Sequence, residues 1–78
     1  MITKTNNQIV KDFEQYPIGA CKVYNNFYPS VNLNITKYND GIGFHYYNAL
    51  GRLVNLGFVQ IIDLCWKLNK IKEGNFLS

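Results

Sequence analysis

The stretch from Val31 to Tyr47, VNLNITKYNDGIGFHYY, constrains this chain more than any other. Apolar and polar residues alternate on both sides of Asn39-Asp40-Gly41, and such alternation around Asp-Gly is a strong short-range signal for a β-hairpin. Take Asp40-Gly41 as a two-residue turn, with Gly41 accepting positive φ without a Cβ clash. Lys37 then faces Phe44, Ile35 faces Tyr46, and Thr36 faces His45. Directly opposed residues share a face of the sheet. Val31, Leu33, Ile35, Ile42, Phe44 and Tyr46 fall on one side, and Asn32, Asn34, Thr36, Tyr38, His45 and Tyr47 on the other. A four-residue loop over 38–41 keeps this sorting. A three-residue loop would set Ile35 against His45, so the pattern argues against it.

The flanking segments extend the same logic. From Ala20 to Phe27, Cys21, Val23 and Phe27 alternate with Lys22, Tyr24 and Asn26. A loop at Tyr28-Pro29-Ser30 would set Val23 opposite Ile35, leaving Asn25 as a polar intruder on the oily face. After Tyr47, Asn48 to Val54 reads either as a helix or as a hairpin with Gly51 left-handed. The hairpin pairs Asn48 with Arg52, Tyr46 with Val54 and Phe44 with Leu56, which keeps the oily face continuous and favours a fourth strand. The string Tyr47-Asn48-Ala49-Leu50-Gly51-Arg52-Leu53-Val54 also resembles the hairpin unit of YD-repeat (RHS-type) shells, in a single copy. That resemblance implies strand, turn, strand, and not membership of the family.

Two helices bracket the strands. Ile9, Phe13 and Tyr16 recur at helical spacing after the N-cap candidates Thr5-Asn6-Asn7, and Pro17 and Gly19 end the run. From Val59 to Glu73, Ile61, Leu64, Cys65, Leu68 and Ile71 form one stripe, with Gln60, Asp63, Lys67 and Lys70 opposite. The expected fold is α+β in two layers. An antiparallel β-meander of three to four strands (about 20–27, 31–38, 42–48 and 52–57) carries a short N-terminal helix (about 6–16) and a longer C-terminal helix (about 59–73) on one face. The other sheet face is left to solvent, which antiparallel sheets tolerate. One small α+β domain spans residues 1–78.

A chain of 78 residues builds one modest core. Hydrophobic residues at 47% against 17% charged mean that it folds rather than staying disordered. The net charge of +3 permits nucleic-acid contact without demanding it. Eleven Asn and six Tyr, with many Ile and Lys, are the mix of an A/T-rich genome. No signal peptide or membrane-spanning run is present, so the expected location is the cytoplasm, that of a host cell if a phage encodes the chain. Cys21 and Cys65 are expected as buried free thiols on core faces, not as a redox pair.

No catalytic constellation emerges. His45 is the sole histidine, and Asp12, Glu14, Asp40, Asp63 and Glu73 are scattered without a carboxylate pair. Gly41-Ile42-Gly43 lacks the following helix that a phosphate loop requires. No catalytic residue, metal ligand or cofactor is therefore expected, and the chain reads as a non-enzyme. What remains are two surfaces. The open sheet face is expected to carry Lys22, Tyr24, Asn26, Asn34, Thr36, Tyr38, His45 and Tyr47, the rigid-aromatic and adaptable-amide mixture that recognition surfaces use. The second, an edge of Val59, Ile62 and Trp66, is either a helix–helix contact or a surface for a dimer or partner.

The expected function is a protein-binding module acting by surface occlusion. Phage- and mobile-element-encoded inhibitors of host defence, anti-CRISPR proteins among them, share this small, motif-free profile, an analogy of size rather than of matched residues. The alternative is a nucleic-acid binder that stacks tyrosines on bases and sets Lys22, Lys37, Lys67, Lys70 and Lys72 on phosphates. Another protein is the expected partner. Nucleic acid and a second copy of the chain are the other candidates, and a membrane is not.

Overall fold

In the computed structural model, residues 5–24 and 32–72 are described, the side chain of residue 72 excepted. The elements are α1 (Asn6–Gln15), β1 (Cys21–Tyr24), β2 (Leu33–Tyr38), β3 (Gly41–Tyr47), β4 (Leu53–Val59), a 3-10 turn (Ile61–Asp63) and α2 (Leu64–Lys72). The four strands form one antiparallel sheet in the order β1-β2-β3-β4, the meander expected from the alternation. The chain thus has the α+β architecture read from its sequence. No helix among the described residues is long and apolar enough to cross a membrane.

Each element has a local cause. At the start of α1, Thr5 Oγ1 accepts from the Gln8 amide at 3.2 Å, while Gln8 Oε1 accepts from the Thr5 amide at 2.9 Å. This reciprocal box satisfies two donors that a helix N-terminus leaves unpaired. Tyr16 turns extended before Pro17, as sterics require of a residue preceding proline, and the helix stops there. Between β3 and β4, Asn48 Oδ1 accepts from the amides of Leu50 and Arg52 at 2.9 and 3.0 Å, and Gly51 takes φ +77°. The hairpin therefore wins over the helix at this string, because Asn48 supplies the turn's bonds and Gly51 its left-handed residue.

The core lies between the sheet and the two helices. Ile9 and Phe13 of α1, Leu33, Ile35, Ile42, Phe44 and Leu56 of the sheet, and Leu64, Leu68 and Ile71 of α2 are all buried. Lys37 reaches under the end of α1, where its Nζ donates to the Phe13 carbonyl at 2.6 Å and to that of Glu14 at 3.5 Å. An ammonium there satisfies helix carbonyls that have no partner of their own and complements the negative end of the helix dipole.

Three registers differ from expectation. The β2–β3 turn is Asn39-Asp40, with Tyr38 opposite Gly41 and Ile35 opposite Phe44. The displacement is two residues, so every side chain keeps its expected face. Gly41 is needed for space: a Cβ there would lie 2.5 Å from the Val59 carbonyl oxygen and 2.6 Å from the Phe58 ring. In β4 the pairing slips between Phe44 and His45, with Phe44 opposite Gly57 and His45 opposite Asn55. Leu56 is the extra residue of this bulge and points into the core. Tyr46 pairs with Val54 as expected, but Gly57 takes the place opposite Phe44 that was expected for Leu56.

The third difference matters most. Lys22 stands opposite Ile35, and Val23 opposite Asn34. This is a slip of one residue, which exchanges the two faces of β1. The tight connection from α1 sets it, because Gly19 N donates to Lys37 O at 2.7 Å and Lys37 N donates to Ala20 O at 2.9 Å. The slip brings Tyr24 against the core and turns Val23 outward, 57% exposed. A tyrosine ring covers more area than an isopropyl group, so the exchange favours burial of the larger side chain. The start of the C-terminal helix also differs from expectation. Val59 closes β4 opposite Ile42, and helical structure begins only at Ile61. The expected positions Asn25, Phe27 and Val31, the loop 28–30 and the tail beyond Lys72 lie outside the described residues.

Candidate functional site

With both helices on one side, the opposite sheet face is left uncovered by the described residues, and the register decides what it displays. Of the residues expected there, Asn34, Thr36, Tyr38, His45 and Tyr47 are present. Lys22 and Tyr24 are not: the one-residue slip of β1 places both on the helix side. Asn26 lies outside the described residues. In their place come Cys21 and Val23 from β1, and Leu53, Asn55 and Phe58 from β4. Leu53 was legible, since pairing Tyr46 with Val54 already sets Leu53 beside Tyr47. Phe58 was not, because only the bulge at Leu56 turns it to this side.

The aromatic residues come in pairs. Tyr38 lies flat over Gly43, where a Cβ would meet its ring at 2.7 Å. Its centroid is 6.1 Å from that of Phe58, with the planes tilted by 44°. His45 and Tyr47 meet edge to face at 5.7 Å. Between the Tyr38–Phe58 pair and His45 is a shallow hollow of about 390 Å³, reached by Asp40 and Asn55. Leu53 and Phe58, at 56% and 49% exposed, continue the apolar surface along β4. The face is therefore more apolar than the tyrosine and asparagine surface expected of it.

The lysines are spent elsewhere. Lys22 Nζ lies 5.0 Å from the centre of the Tyr16 ring, and Lys37 is held by the carbonyls ending α1. Lys67, expected on the outward stripe of its helix, instead reaches over Phe44 at 5.9 Å and rests against Gly57. Lys70 stands 6.0 Å from the Trp66 ring. Among the described residues, no lysine or arginine belongs to the open sheet face.

Tyr24, on the helix side, has its phenol pushed up to about 12, chiefly by burial, with Tyr16 and Asp12 adding to the shift. Desolvation disfavours the phenolate, and neighbouring negative charge acts in the same direction. This tyrosine belongs to the packing beneath α1 and not to the candidate surface.

The second expected surface divides. Val59 is a strand residue packed against the core. Ile62 and Trp66 are 84% and 57% exposed. Helices α1 and α2 meet through Asn6 on Asn69 and through Cys65 Sγ on Asn7 Oδ1, and Trp66 stays largely exposed beside these bonds. Neither thiol is buried as expected: Cys21 is exposed by the slip of β1, and Cys65 is half-buried. No cluster of three or more His, Cys, Asp or Glu that could hold a metal occurs among the described residues.

Compared with protein-family models, curated proteins and solved structures, the chain matches none.

Proposed function

We propose that this chain is a non-enzymatic protein-binding module that covers part of another protein's surface with its open sheet face. The observation that carries the reading is that Val23, Tyr38, Tyr47, Leu53 and Phe58 are all exposed on one sheet face, which is free of lysine and arginine among the described residues. Exposed apolar patches of this kind mark interaction sites. These five side chains offer roughly 500 Å² of surface, a large part of the ~800 Å² that each partner contributes to a standard interface. Asn34, Thr36 and Asn55 supply polar contacts around them. In its narrower form, the occluded protein belongs to a host defence system and the chain is a phage- or mobile-element-encoded inhibitor of the anti-CRISPR kind.

A nucleic-acid binder would need aromatic rings for bases and cations for phosphates along one groove. Here the rings of the open face have no lysine or arginine on that face among the described residues, which favours the protein partner. The test is capture from a lysate of the gene's carrier or its host, with and without nuclease, using the wild type and Tyr38→Ser/Tyr47→Ser/Phe58→Ser. A protein retained under nuclease by the wild type and lost by the folded triple variant is the expected result. Retention of the same protein by that variant, or capture that disappears with nuclease, defeats the proposal.

A further inference from the structure

We infer that the hollow at the centre of the open sheet face receives one cationic side chain of the protein partner, an arginine before a lysine. The inference rests on the protein-binding reading above and names the chemistry of its central contact.

Size comes first. A volume of about 390 Å³ falls at the small end of ligand pockets and suits one long side chain better than a ring system with its appendages. The walls come next. Tyr38 and Phe58 present tilted rings 6.1 Å apart, and the negative π-face of an aromatic ring attracts a cation. Tyr38 keeps its place because Gly43 beneath it has no Cβ, and Phe58 keeps its place because Gly41 has none. Charge decides the sign of the occupant. Among the described residues, Asp40 is the one formally charged side chain lining the hollow, and no lysine or arginine does so. Lys67 lies against Gly57 from the helix side of the sheet, where it rests over Phe44.

The remaining polar atoms fit the same occupant. Asn55 Oδ1 accepts from the Gly57 amide at 2.9 Å, and a carbonyl oxygen has a second lone pair to offer. A guanidinium, planar and rich in donors, can address the Asp40 carboxylate or that oxygen while its flat face lies on a ring. A phosphate would meet Asp40 as a like charge. An aliphatic side chain would desolvate Asp40 and Asn55 and give them nothing in return.

The test is NMR titration of the full-length 15N-labelled chain with Nα-acetyl-arginine methylamide. The norleucine and glutamate analogues and uridine monophosphate serve as comparison probes. Blocked arginine is expected to bind in the millimolar range and to shift the amides of Gly43, His45, Asn55 and Gly57 selectively. Asp40→Asn, a change in an exposed turn, should weaken it roughly three- to fivefold, and Phe58→Ala comparably. Equal shifts with norleucine, stronger shifts with the nucleotide, no shifts at all, or unchanged affinity in Asp40→Asn would each overturn the inference. Any of these, together with loss of the partner in the tyrosine and phenylalanine triple variant, would leave the sheet-face reading standing and remove only the cation.

Discussion

Two glycines two residues apart in β3 should respond to alanine unequally, one with a clear loss of stability and the other with almost none. At Gly41 a Cβ would sit 2.5 Å from the Val59 carbonyl oxygen, an atom of the paired backbone that cannot turn aside. The ends of β3 and β4 would have to part by several tenths of an ångström. Over-packing of this kind costs about 1–3 kcal/mol, and a backbone obstacle puts the cost at the upper end. Alanine's smaller loss of backbone freedom offsets about 0.5–1 kcal/mol. The net expectation for Gly41→Ala is a loss of about 2 kcal/mol, or roughly 10–15 °C in Tm for a domain of this size. At Gly43 the obstacle, 2.7 Å away, is the ring of Tyr38, which is exposed and free to swing outward. Losing the ring's seat costs about 0.5–1 kcal/mol, which the alanine offsets, so Gly43→Ala should stay within about 0.5 kcal/mol of wild type. Urea unfolding followed by far-UV circular dichroism measures both. Loss of the ring-current shifts between Tyr38 and Phe58 in Gly43→Ala would confirm that the ring has moved. Equal stability of the two variants, or Gly43→Ala as the weaker, would refute the reasoning.

Two further outcomes follow from the helix side. Lys37→Met should lower stability by about 1–2 kcal/mol, since it removes charge-assisted bonds to the carbonyls ending α1; an unchanged urea midpoint would show that water serves those carbonyls equally well. Tyr24 holds its proton more tightly folded, at about 12, than unfolded, at about 10, so stability is full below pH 10 and falls between pH 10 and 12. Allowing for solvent screening of a half-exposed group, the fall is about 1 kcal/mol, and Tyr24→Phe should remove most of that slope in unfolding curves taken across the window.

How far the alternation could be trusted depended on the parity of each slip. The β2–β3 turn moved by two residues, and Leu33, Ile35, Ile42 and Phe44 stayed in the core as read. At β1 the slip was one residue. The local pattern could not choose, because Cys21 and Val23 on one side and Tyr24 on the other are both plausible core faces. The choice was made by the bonds of Gly19 and Ala20 to Lys37, which the string does not display. The site followed suit: five of its expected residues stood on β2 and β3, whereas Lys22 and Tyr24 of β1 were exchanged for Cys21 and Val23, and Asn26 lies outside the described residues. The β4 contribution had a visible half in Leu53 and a hidden half in Phe58. A bulge leaves no signature in a run of residues that are all good strand formers.

That bulge has a consequence beyond the face it re-aims. Among the described residues β4 ends the sheet, and a last strand is a template on which other chains can line up. Here the Gly57 amide is already bonded to the side chain of its own neighbour Asn55, and the kinked strand cannot hold a straight row of rungs. The kinked last strand thus works against growth of the chain into a ribbon of its own copies.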